Sequence, residues 1–156
     1  MIDSTDSTKY HIRCLQNYML EACVNIRKRA KVHDASALEP PEKMFYDLLR
    51  PKLDQLEYNS LEYLETLAEL QPAIQHHYDN NSHHPEHFSN GVNGMSLFDI
   101  LEMICDWKAA IDRKGSNEHV LNNFEATCSR FNISSQLAEI IKNTVEEMGW
   151  NNDKSR

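Results

Sequence analysis

Apolar residues recur every three or four positions along most of this chain, and no stretch alternates apolar with polar for the length of a strand. A first helix is expected from about Lys9 to Val32, capped by Ser7 or Thr8, with Ile12, Leu15, Met19, Ala22, Cys23 and Ile26 along one face. Glu39-Pro40-Pro41-Glu42 reads as a break and a helix start; that second helix carries Met44, Phe45, Leu48 and Leu49 and ends near Arg50-Pro51. A longer helix, about Leu53 to Tyr78, has an apolar face of Leu56, Leu61, Leu64, Leu67, Ala68 and Ile74, and Pro72 should kink or restart it. After the turn-forming run from Ser89 to Gly94, Ser96 and Asp99 make a capping box for a helix from Leu97 to Arg113, ended by Gly115. Two more helices follow, about Glu118 to Phe131 and Ser135 to Met148; Ser134 or Ser135 caps the last and Gly149 stops it. The pattern predicts an all-α fold, one single-domain bundle of six or seven helices. Residues 1–6 read as a disordered N-terminus, 7–150 as the helical domain and 151–156 as a flexible tail.

Composition narrows this picture. A chain of 156 residues with 40% hydrophobic content supports one core, and 4 Gly with 5 Pro provide few of the turns that a many-stranded sheet needs. The net charge of −8 weighs against a polynucleotide or an anionic membrane as partner, and leaves room for one small anion in a local positive pocket. No run approaches the ~20 apolar residues of a membrane span, and Met1 to Asp6 lacks the basic and apolar parts of a secretory signal. Cys14, Cys23, Cys105 and Cys128 are far apart, with no Cys-x-x-Cys; reduced, buried thiols of a cytoplasmic protein are expected.

Chemistry is concentrated between Gln75 and His87, which hold five of the eight histidines. Folding asks for no such density, since imidazole buries poorly and has no strong secondary-structure preference. Its particular chemistry is proton exchange near neutrality and metal ligation. His33-Asp34 lies upstream, His11 further upstream, and Asp106 interrupts the apolar run Met103-Ile104-Cys105-Asp106-Trp107. Together these predict a centre for a divalent transition metal, one or two ions of Mn, Fe, Co, Ni or Zn. Blander roles exist for each residue: a surface position for His11 and His119, a buried ion pair with Arg13 for Asp106, a helix cap for Asp99, and a place behind the ligands or in solvent for His87. His76 and His77 point about 100° apart on a helix, so one of them, His77, is the favoured ligand.

The order His11, His33-Asp34, Asp106 on helices resembles the HD superfamily of metal-dependent phosphohydrolases. Two-metal branches of that superfamily insert further histidines before the last Asp, as His76-His77 do here, and the ligand order also resembles that of inositol oxygenase, a di-iron relative. A closer resemblance is to an uncharacterised family of bacterial and phage proteins with His-Asp-x-Ser-Lys, His-His-x-x-Asn-x-His-His-x-Glu and Asp-Trp motifs. Here these read His33-Asp34-Ala35-Ser36, His76 to Glu86 and Asp106-Trp107, with Ala37 where that family has Lys. The match spans most of residues 11–110.

The superfamily resemblance implies an HD-like core with His11, His33, Asp34, His77 and Asp106 on the metal. It implies hydrolysis of a nucleotide or similar small phosphate ester. Glu42 and His84 are then candidates to move the proton, and Arg29, Lys31 and His83 to hold the substrate. His11 and His33 are 22 residues apart, ~33 Å on a straight helix. To share an ion, the first helix must turn back near Ala22 to Asn25. Two rival readings are a di-iron oxygenase on the same scaffold and a non-catalytic interaction protein whose metal is structural. A homodimer is one option for assembly.

Overall fold

The computed structural model describes residues 4–114 and 119–151. Six α-helices and three short 3-10 turns account for its regular structure, with no strand among the described residues. The all-α reading therefore holds. The chain divides into two compact units, one ending at His33 and the other beginning at Asp34.

The first unit is a single helix, α1, from Thr5 to Val32. It contains neither Gly nor Pro, and good helix formers fill it, so nothing interrupts its hydrogen-bond ladder. The turn expected between Ala22 and Asn25 does not occur. The start is also earlier than expected: the Thr8 amide donates to the Ser4 carbonyl at 3.0 Å, and Asp6 sits in the first turn, where the helix dipole favours a carboxylate. Met1 to Asp3 lie outside the described residues. None of the residues of α1 is buried, and Ile12, Leu15 and Met19 of its apolar face are exposed. A lone helix offers them nothing within its own unit to pack against.

The second unit holds α2 (Glu42–Leu53), α3 (Leu61–Asn80), α4 (Leu97–Lys114), α5 (Phe124–Phe131) and α6 (Ser135–Glu147). Pro51 falls in the last turn of α2, so α2 continues to Leu53. The third helix starts later than its apolar pattern implied. Asn59 adopts φ 63°, Ser60 is extended, and the Ser60 hydroxyl accepts from the Tyr63 amide at 3.1 Å, which places the true N-cap at Ser60. The helix then runs through Pro72 without a restart. Residues 120–123 form turns rather than the expected helix, and Asn123, at φ 56°, stands just before α5. The expected stop at Gly115 and start at Glu118 lie outside the described residues, as do residues 152–156 of the tail. Ser134 caps α6, and Gly149, at φ +68°, closes it with an amide bond to the Glu146 carbonyl at 2.9 Å.

Two apolar clusters hold the second unit. Leu49, Leu70 and Ala73 join α2 to α3. Val92, Ile104, Val120, Phe124, Ile133, Ile141 and Val145 join α4, α5 and α6. Because only a short connector links α2 to α3, they pack antiparallel, and the first turn of α2 meets the last turn of α3. The thiols depart from expectation: Cys23 and Cys105 are exposed and Cys14 and Cys128 only half-buried. Among the described residues, no helix is long and apolar enough to cross a membrane.

Candidate metal centre

The antiparallel packing of α2 on α3 sets Glu42 directly behind two histidines. Glu42 is fully buried. Its Oε2 lies 2.7 Å from His77 Nδ1 and its Oε1 lies 2.8 Å from His76 Nδ1. A carboxylate only accepts, so both Nδ1 atoms carry the proton, and in a neutral ring the lone pair of each imidazole is then on Nε2. Burial pushes the Glu42 carboxyl up, but hydrogen bonds from His76, Ser36 and His77 outweigh it and hold it below the usual carboxylate range. Asn81, also buried, donates from Nδ2 to the Ser36 hydroxyl and to the His77 carbonyl, both at 2.8 Å. Ser36, in the His-Asp-x-Ser stretch, thus braces Glu42 and Asn81.

His77 Nε2 faces Asp34 Oδ1 at 3.4 Å and His84 Nε2 at 3.0 Å. His83 is almost wholly buried, and its Nε2 faces the same Asp34 oxygen at 3.5 Å. Its Nδ1 lies 3.6 Å from Glu102 Oε1, so a second carboxylate stands behind a second imidazole. One ligand atom from each of Asp34, His77, His83 and His84 falls within 4.8 Å of the others. Asp106, on α4, offers a carboxylate oxygen within 4.8 Å of Asp34 and His83 ligand atoms. Ligands ~2.1 Å from an ion stand about 3.0 Å apart at octahedral angles and about 3.4 Å apart at tetrahedral ones. The observed 3.0, 3.4 and 3.5 Å separations fall in that range. Three imidazoles and two carboxylates also suit a transition metal in kind. These residues could hold a metal ion.

The histidine loop is fixed at its far side. Ser82 donates to Asp99 Oδ1 at 2.6 Å, while Asp99 Oδ2 accepts from the Ser96 amide at 2.7 Å and the Asp99 amide donates to the Ser96 hydroxyl at 3.2 Å. The expected capping box is present, and Asp99 caps rather than ligates. Asp34 has φ 52°, in the left-handed region that Asp tolerates better than most residues.

Asp34, His77, His84 and Asp106 open onto a cavity of about 400 Å³, which Tyr46, Arg50, Tyr78 and Arg113 also line. The Arg50 guanidinium lies 4.3 Å over the Tyr46 ring. Burial, then the nearby Glu42 charge, pushes the Tyr46 phenol up, and burial, then Glu86, does the same for Tyr78. Both phenols therefore remain hydrogen-bond donors at neutral pH.

The structure sets ligand atoms of Asp34, His77, His83 and His84 close together and Asp106 close to Asp34 and His83, so His83 and His84 stand among the candidate ligands rather than only at the substrate and in proton transfer. Glu42 is displaced from its expected proton-carrying role, since both its oxygens are taken by imidazoles behind the cavity. His11 cannot share an ion with His33: on the continuous α1 they stand ~33 Å apart. Arg29, Lys31 and His33 lie at the end of the first unit, in the last turn of α1 and just after it. His87 donates from Nδ1 to the Tyr78 carbonyl at 2.8 Å. Glu102, Arg50 and Arg113 escaped sequence reasoning. Glu102 carries a faint signal, a carboxylate one helical turn before Asp106 on the same helix; the arginines carry none.

No curated protein and no solved structure matches the chain at a significant level. A family model does match, across residues 1–147, which is nearly all of it. The chain therefore belongs to the family of unknown function DUF5662.

Proposed function

We propose that this protein is a metal-dependent phosphohydrolase acting on a nucleotide or a similar small phosphate ester. The observation that carries the reading is one cavity lined both by candidate ligands Asp34, His77, His84 and Asp106 and by Arg50 and Arg113. Of the order that resembles the HD superfamily, Asp34 and Asp106 stand at this cavity, while His11 does not. A purely structural metal site is closed by protein ligands, whereas this one opens to a space large enough for a small substrate.

A bound divalent ion would supply a Lewis acid and a water of lowered pKa. The chain's own residues do the rest. Glu42 fixes the ring of His77, so that its Nε2 lone pair points to the centre before any ligand arrives, and Glu102 stands behind His83. Arg50 and Arg113 offer guanidinium groups to phosphoryl oxygens. Tyr46 and Tyr78 offer neutral O–H donors at the cavity wall.

The test is phosphate release from a panel of nucleotides and simple phosphate esters with added manganese, cobalt or nickel, together with elemental analysis of protein purified without a histidine tag. Metal-dependent release that is lost in Asp34→Asn supports the reading. Silence across the panel with metal bound overturns it.

A further inference from the structure

A second cavity, of about 410 Å³, lies against the first and shares Tyr78, His84, Asp106 and Ala110 with it. The candidate ligands His84 and Asp106 therefore form a wall between two chambers. Their chemistry differs. The first has Arg50 and Arg113. The second has Trp107, Phe131, Asn122, Asn123 and Thr127, with Arg130 and His119 also in its lining. The Arg130 charge is matched: its guanidinium binds Glu86 at 3.0 Å and lies 4.7 Å over the Phe131 ring. An anion gains little in such a chamber, whereas an uncharged group with a flat face gains a great deal.

An aromatic face and two carboxamides are what a heteroaromatic ring requires: the Trp107 indole to stack on, the Phe131 ring being taken by Arg130, and groups that both donate and accept at its edge. The Trp107 plane is set by edge-on packing against Phe124, with ring centroids 6.4 Å apart at 68°. Phe124 is itself buried in the larger core cluster. The stacking wall is thus held by the core and needs little ordering when a ligand enters.

We propose that this second chamber receives the ring of the substrate's alcohol portion, a nucleobase or a heterocycle of like shape, while the Arg50 and Arg113 chamber receives the phosphate. This rests on the phosphohydrolase reading for the position of the phosphate, but not for the ring. The bond that breaks would lie over His84 and Asp106, where the two chambers meet. The substrate class is then a ring-bearing phosphate monoester rather than a sugar phosphate or pyrophosphate.

The experiment separates the two claims. Adenosine, guanosine, cytidine and uridine, which lack phosphate, are titrated into the whole protein while the indole N–H resonances of Trp107 and Trp150 are followed. At least one nucleoside should shift Trp107 and leave Trp150 unmoved. Thr127→Leu, which fills the chamber from a half-buried position on α5, should weaken that binding by about tenfold or more, with its melting temperature checked against the parent. Ribose 5-phosphate should not move Trp107. If no nucleoside shifts Trp107, or if Thr127→Leu folds and binds equally well, the ring assignment falls. Nucleoside binding without turnover of any ester would sink the hydrolase and spare the chamber. Equal turnover of ribose 5-phosphate and nucleotides would do the reverse.

Discussion

Glu42 Oε2 lies 2.7 Å from His77 Nδ1, and this contact decides which nitrogen of His77 faces the cavity. The pair joins the first turn of α2 to the last turn of α3, so helix packing and ligand orientation are one structural fact. Glu42→Gln keeps the volume but replaces one acceptor with a donor that faces an Nδ1–H. Metal affinity should fall by about 10- to 100-fold, read as the chelator concentration that strips half the bound metal. Unchanged affinity would mean that His77 is oriented by something else.

His84 and His87 are three residues apart and make opposite predictions. His84 Nε2 belongs to the ligand group, while His87 is spent on the Tyr78 carbonyl. His84→Ala should lower metal content per chain. His87→Ala should leave metal content alone and cost about 1 kcal/mol of stability from one hydrogen bond. Elemental analysis and thermal melts of the two variants check both at once.

Removing the metal should loosen the second unit. Asp34, His77 and His83 come from three separate segments, and a cation that binds only the folded arrangement stabilises it by mass action, about 2.7 kcal/mol when free metal is 100 times Kd. A chelator should therefore lower the melting temperature, and added divalent metal should restore it. Ligation needs unprotonated Nε2 atoms, so metal is held at neutral and alkaline pH and released as the pH falls and imidazoles take up protons. Occupancy that rises on acidification would exclude histidine ligation.

Arg50 and Arg113 should act on substrate binding rather than on the metal. Replacing either by alanine should raise KM for a phosphate ester about tenfold to a hundredfold, with metal content unchanged. Lysine at position 50 should rescue poorly, because an ammonium neither stacks on Tyr46 as a plane nor offers a two-pronged contact to phosphate.

Periodicity carried the helices well. The Ser96–Asp99 cap, the Ser134 cap and the Gly149 stop were all readable because each is a local device. The histidine stretch was readable by density alone. Roles within it were not: between Asn80 and Pro85 the backbone leaves the helix, so spacing no longer tells where His83 and His84 point. Glu42, Glu102 and Arg50 gained their places from packing between helices, which no single segment encodes. The delayed start of α3 was hidden for a different reason, since Leu56 continues the apolar period across a turn that Asn59 enforces.

The backbone at Asp34 narrows what can stand there to very few side chains. Its φ of 52° is readily taken up by Asn and Asp but strained for most others, glutamate included, while a ligand position asks for a carboxylate and so favours Asp and Glu. Aspartate alone passes both filters. An alanine at 34 would confound lost chemistry with a distorted chain, and glutamate would keep the charge yet miss the geometry. Asparagine changes the chemistry alone, which makes this one position a place where conformational tolerance and coordination can be weighed separately.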